Sequence, residues 1–317
     1  MKKFKIIRNI ISAILVLGIV AIAGVGNYFY NFALNPKISK DAVFESNKND
    51  TAVEVDAKIA ENASKWLEEK SNYIDSYVAS KDGLKLHGYK IINPGSTKWA
   101  IVVHGYMAEG KKMSDPAKRF YDMGYNVLVP DLRGHGLSEG DYIGMGWKDR
   151  LDIIEWINSI LSTKKDDNIV LYGVSMGAAT VMMTSGEELP SNVKAIIEDC
   201  GYTSTWDEFS YQLKSMYNLP EFPVLNAASA ITKVRAGYYL SDGSAIDQVA
   251  KSKVPMLFIH GDQDKFVPSY MVEEVYNAAN CEKQKLIISG AGHTEASKKD
   301  PQTYWSTVSG FINKYVK

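Results

Sequence analysis

Apolar and polar positions fall into three regimes along this chain. Residues 9–36, "NIISAILVLGIVAIAGVGNYFYNFALNP", contain no charge, and about 20 apolar residues suffice to span a bilayer. A buried helix of a soluble body rarely runs that far without a charged face. Residues 37–70 are charged and lack β-branched runs, yet Val55, Ile59, Ala63, Trp66 and Leu67 recur at helical spacing. That spacing predicts a stalk ending in an amphipathic helix docked on the main body. From Asn72 onward residues 73–80 and 84–92, joined through "KDG", predict an antiparallel hairpin. Six short apolar strands follow, "WAIVVH", "NVLVP", "NIVLYG", "VKAIIED", "MLFIHG" and "KLIIS", separated by segments of helical period. Strand and helix in turn predict a mostly parallel, eight-stranded sheet with helices on both faces. Such sheets bind ligands beyond the C-terminal ends of their strands.

Those strand ends carry the candidate chemistry. His104 and Gly105 close one strand, "RGHG" follows the next, and Ser175 stands between glycines in "YGVSMGA" after the third. Asp262 and Asp264 follow a later strand in "FIHGDQDKFVP", and His293 follows the last in "ISGAGHTE". With Gly173, Val174, Ser175, Met176 and Gly177 as a G-x-S-x-G elbow, and serine, acid and histidine in that chain order, residues 71–317 resemble an α/β-hydrolase. The resemblance implies the α/β-hydrolase fold with a small helical cap between strands 6 and 7, at about residues 201–250. With the apolar run ahead of it, the chain resembles a membrane-anchored, bacterial-type member. The "RGHG" and "GVSMGA" segments resemble prolyl-peptidase-type enzymes as well as esterases.

Serine is a weak nucleophile until a base takes its proton. Of the five histidines, His87 lies in the hairpin, while His104, His135 and His260 sit where hydrogen bonds to backbone would shape loops. His293, in a glycine-flanked loop, is the expected general base. Asp264 matches the family's H-G-x-x-D pattern as the acid that orients it, with Asp262 as a turn residue; Asp199, in "IIEDCG", is the rival acid. The resemblance also implies an oxyanion hole made by the backbone N–H groups of Tyr106 and Met176. Eight aromatics within residues 201–250 serve either an acyl pocket or the core of a small lid. The expected activity is hydrolysis of carboxylic esters with small or medium acyl groups. Peptidase, lysophospholipase, thioesterase and a catalytically silent, membrane-tethered binding protein are the alternatives.

Composition narrows the partners. Thirty-six basic against 37 acidic side chains give a net charge of −1 and no basic patch for nucleic acid. Two cysteines, Cys200 and Cys281, form neither a disulfide framework nor a zinc-ligand pattern, and no cofactor or metal motif occurs. Lys2, Lys3, Lys5 and Arg8 precede the apolar run, which predicts a cytoplasmic N-terminus and an extracytoplasmic body. The expected organisation is an uncleaved anchor at residues 1–36, a stalk at 37–70 and the hydrolase domain at 71–317. Tyr28, Phe29 and Tyr30 would form an interfacial belt. Secretion after cleavage at "AIA", Ala21 to Ala23, is the alternative.

Overall fold

The computed structural model describes residues 2–40, 43 and 57–316. Val55 of the expected amphipathic helix lies outside the described residues. Helix α1 (Lys2–Leu34) is exposed along residues 4–25, and its segment Phe4–Leu34 is long and apolar enough to cross a membrane. Its last turns belong to the body. Gly26 lies so close to a helix of the body that a Cβ there would sit 2.7 Å from the Ala227 carbonyl, and Tyr30 and Leu34 are buried. The helix end is capped by Lys40, whose Nζ donates to the carbonyls of Asn31 and Asn35 at 3.2 and 2.9 Å. Helix α2 (Ala57–Lys65) runs into a wider turn, Trp66–Lys70, and buries Ala63 and Leu67.

The sheet has eight strands: β1 (Ile74–Ala79), β2 (Lys85–Ile91), β3 (Lys98–Val103), β4 (Asn126–Pro130), β5 (Asn168–Val174), β6 (Val193–Asp199), β7 (Met256–Gly261) and β8 (Lys283–Ile288). Their spatial order is β1-β2-β4-β3-β5-β6-β7-β8. β1 and β2 pair antiparallel, as the "KDG" turn predicts, and β3 to β8 run parallel. Because side chains alternate across a strand, Ile101, Val103, Ile169 and Leu171 enter one core while Ala100, Val102, Val170 and Tyr172 enter the other. Helices α4 (Asp149–Thr163), α5 (Met176–Ser185) and α9 (Tyr270–Ala278) cover the first face, and α3 (Ser114–Asp122) and α10 (Pro301–Ile312) the second. Strands buried on both faces need the continuous apolar runs that the sequence supplies. This is the α/β-hydrolase fold.

Between β6 and β7 the chain forms the cap helices α6 (Thr205–Tyr217) and α7 (Glu221–Ala236), then a short α8 (Ala245–Val249) packed near α5. Ser204 caps α6 by accepting from the Asp207 N–H, and Asn218 ends it in the left-handed region, φ 52°. Gly237, φ 79°, ends α7 in the same way.

Cys200 follows the C-terminal end of β6, whereas Cys281 precedes the N-terminal end of β8, with β7 between them. Both are free thiols; Cys200 is buried and Cys281 half-buried. Burial raises both thiols above their ordinary range, Cys200 the further. Iodoacetamide should therefore modify Cys281 slowly and Cys200 only after unfolding, as peptide mass spectrometry will read. Modification of Cys200 in the native protein would contradict this packing.

Candidate active site

The Gly173-to-Gly177 segment turns from β5 into α5 at Ser175, whose backbone is held at φ 57°, ψ −119°. A non-glycine residue in that region costs on the order of 1–3 kcal/mol and persists only when its surroundings fix it. Here the surroundings are backbone. A Cβ on Gly173 would strike the Gly177 carbonyl, and one on Gly177 would strike the Val103 carbonyl. The hydroxyl is thus lifted above the sheet at the start of a helix.

Ser175 Oγ lies 2.8 Å from His293 Nε2, and His293 Nδ1 lies 2.7 Å from Asp264 Oδ2. The other Asp264 oxygen accepts the backbone N–H groups of Phe266 and Val267, each at 2.9 Å. Burial works to raise the Asp264 carboxyl, but His293 and His260 outweigh it and hold it below the usual carboxylate range. A carboxylate facing Nδ1 requires that atom to carry a proton, which leaves Nε2 as the acceptor for the serine hydroxyl. The Phe266 ring stacks on His293, with centroids 4.9 Å apart. Nothing in the sequence pattern marks Phe266 except its place two residues after Asp264.

Asp199 is occupied elsewhere. Its Oδ2 accepts from Tyr304 on α10 at 2.8 Å, and Tyr304 in turn meets the Tyr172 hydroxyl at 2.8 Å. Asp262 ties the β7 and β8 loops together by accepting from Gly290 N at 2.7 Å and Ser289 Oγ at 3.0 Å. The expected turn role fits those bonds.

The loop after β3 runs beside the serine, since a Cβ on Gly105 would lie 3.3 Å from Ser175 Cβ. This brings Tyr106 and Met176, the two expected backbone donors, to flanking segments of the same site. Two histidines shape the loop. His104 Nδ1 faces the Gly105 carbonyl at 2.8 Å while its Nε2 accepts from Leu132 N at 3.0 Å. His135 Nδ1 faces the Arg133 carbonyl at 3.0 Å while its Nε2 accepts from Met107 N at 3.3 Å. A carbonyl only accepts and an amide N–H only donates, so both rings are neutral Nδ1–H tautomers. Burial, helped for His104 by its neighbour His135, keeps both imidazoles below the ordinary range, His104 at about 3. His260 Nε2 bonds the Val267 carbonyl at 2.9 Å and lies 3.2 Å from Asp264, bracing the acid loop. His87, placed by pattern only within the hairpin, is fully buried between Asp131 at 2.7 Å and Asp75 at 2.9 Å. Asp131 also accepts Gly110 N at 2.7 Å, so this cluster anchors the loop that leads away from Tyr106.

A cavity opens beside Ser175. Tyr202, Phe209 and Tyr217 of the cap segment help line it, whereas Tyr238 is buried against the body, its hydroxyl donating to the Gly144 carbonyl at 3.2 Å, and Phe222 and Tyr239 are exposed. Three of the eight aromatics thus line the cavity, and the two exposed ones serve neither of the roles offered for them. The pattern missed the far wall, which comes from α1: Phe29, Phe32 and Ala33. Asn27 and Asn31, the polar interruptions in that apolar run, mark the side that faces protein, where both accept from Arg235 at 3.1 and 2.9 Å.

Beneath the site, burial pushes the Glu198 carboxyl up to about 8, against the pull of His260. A carboxyl raised by folding stabilises the fold fully below its unfolded value near 4.5, and loses that stabilisation as pH rises through about 8. Glu198→Gln should therefore flatten the decline in Tm between about pH 4.5 and 8. Equal declines in the two proteins would remove Glu198 as a source of it.

Residues 96–216 match the family described as Serine aminopeptidase, S33. An uncharacterized protein of Bacillus subtilis, YqkD, is 28% identical over 238 residues, covering 74% of this chain and 78% of that protein. The α/β hydrolase domain-containing protein WAV2 of Arabidopsis thaliana is 24% identical, covering 77% and 79%. Among solved structures, an esterase of Pyrococcus furiosus superposes with a TM-score of 0.62 at 24% identity, over 78% of this chain and 92% of that one.

Proposed function

We propose, from the premise that this chain belongs to the α/β-hydrolase superfamily, that it is a serine hydrolase cleaving carboxylic esters. The observation that carries the reading is the unbroken relay Ser175, His293, Asp264, with contacts of 2.8 and 2.7 Å. In the proposed reaction Ser175 Oγ attacks the ester carbonyl as its proton passes to His293 Nε2. Asp264 holds the imidazole in the tautomer that accepts this proton and stabilises the resulting imidazolium. The backbone N–H groups of Tyr106 and Met176 receive the developing oxyanion, each worth about 3–4 kcal/mol in the transition state. The tetrahedral species collapses, the alkoxide leaves with the proton from His293, and an acyl group remains on Ser175. Water then gives a proton to His293, attacks the acyl carbon, and releases the carboxylic acid as the proton returns to Ser175. Each group involved is supplied by the chain.

The domain division proposed is an anchor over residues 1–36, a stalk over 37–70 and the hydrolase domain over 71–317. Lys2, Lys3, Lys5 and Arg8 outnumber Lys37 and Lys40 across the span, and by the positive-inside rule that bias supports a body outside the cytoplasm. Protease added to intact cells should digest the body; digestion only after lysis would reverse the orientation.

A fluorophosphonate probe should label Ser175, and nitrophenyl esters from acetyl upward should turn over faster than aminoacyl amides or acyl thioesters. Labelling without ester turnover, but with amide cleavage, would move the assignment to a peptidase. The matched serine aminopeptidase family makes that the principal competitor. Absence of labelling would leave a binding protein on a hydrolase scaffold.

A further inference from the structure

The exposed and buried parts of α1 divide at a telling place. At about 1.5 Å per residue, the exposed residues 4–25 extend about 33 Å, which matches a hydrocarbon core about 30 Å thick. Phe29, the first residue of α1 that lines the cavity, lies only about 6 Å further along the helix. The cavity wall thus stands at the membrane surface. Helix α7 runs beside α1 in the same direction, with Ala227 at Gly26 and Arg235 over Tyr30, 4.2 Å from its ring centre. The start of α7 is therefore its membrane-facing end, and there Phe222 is 75% exposed. Tyr28, 57% exposed, stacks on the cavity-lining Phe32 at 6.3 Å. Exposed aromatics at this level suit the headgroup boundary. On the far side of the same wall, the Tyr106 hydroxyl donates to the Ala33 carbonyl at 2.6 Å, tying the loop beside Ser175 to the membrane helix.

We propose that the acyl chain of the substrate comes out of the bilayer and lies along Phe29, Phe32 and Ala33, so that the membrane helix is one wall of the acyl site. The proposal rests on the ester-hydrolase reading and extends it to long-chain esters that reside in a membrane. An apolar cavity walled by the last turns of the same apolar helix would receive such a chain beside Ser175, its burial driven by exclusion from water.

The test uses the full chain in phosphatidylcholine vesicles and a long-chain alkyl fluorophosphonate carrying a diazirine in its tail. After reaction at Ser175, light should cross-link the tail to peptides containing residues 29–34; cross-links confined to other segments overturn the proposal while leaving the serine hydrolase intact. Failure to label Ser175 overturns both. Ala33→Leu should reduce the ratio of stearoyl to acetyl ester kcat/KM about tenfold, because the added isopropyl group takes room from the chain. An unchanged ratio counts against the wall. A stearoyl ester whose exchange between vesicles, measured alongside, takes hours should react at once when it shares the enzyme's vesicles and only at the exchange rate otherwise. Equal rates would overturn entry from the bilayer.

Discussion

Ser175→Ala and His293→Ala should each lower kcat for a nitrophenyl ester by about 10⁴- to 10⁶-fold, and the double variant should be scarcely worse than either. The reason is that nucleophile and base act as one unit: with Nε2 2.8 Å from the hydroxyl, removing either leaves the other without a reaction to serve. What remains over water comes from the backbone donors and from binding. Stability should change little in His293→Ala, since the ring is partly exposed, and should hold or rise in Ser175→Ala. Steady-state kinetics and a fluorophosphonate gel on the same preparations provide the check. Probe labelling that survives Ser175→Ala would remove the serine from its proposed role, and additive losses in the double variant would contradict a shared step.

Asp264→Asn should cost about 10⁴-fold in kcat, while Asp199→Asn should cost less than tenfold. An amide facing Nδ1 presents an N–H where a proton acceptor is needed, so the imidazole turns its proton toward the serine and ceases to be a base. Asp199 has no such effect open to it, because its carboxylate is held by the Tyr304 hydroxyl at 2.8 Å. Its loss should appear in thermal stability instead, where burial has already pushed this carboxyl up to about 6. Comparing kcat with Tm for both variants separates the roles; a catalytic collapse in Asp199→Asn would transfer the acid to the end of β6.

Much of this arrangement is legible in the chain because it is local. The alternation of short apolar strands with helical segments reports burial on both faces of a parallel sheet. The two glycines around Ser175 report a turn whose neighbours are backbone. What depends on distant pairings is harder to read. His87 looks like any polar residue of a hairpin until Asp131 arrives beside it from 44 positions away. Residues 31–34 read as part of the anchor because protein cores and lipid tails demand the same apolar side chains. Only Gly26, Asn27 and Asn31 mark where the helix meets protein before it ends. The aromatics read as an interfacial belt prove to have divided duties: Tyr28 is exposed, Phe29 lines the cavity and Tyr30 is buried.

That junction governs how a water-soluble form should be cut. Trimming at residue 35, the boundary hydropathy alone recommends, would uncover Leu225 and Ala228, now buried, and take away the carbonyl that Tyr106 uses. A chain beginning near Gly26 discards the greasy stretch and retains the turns that finish the protein. The useful boundary lies inside the helix, about two and a half turns before its end.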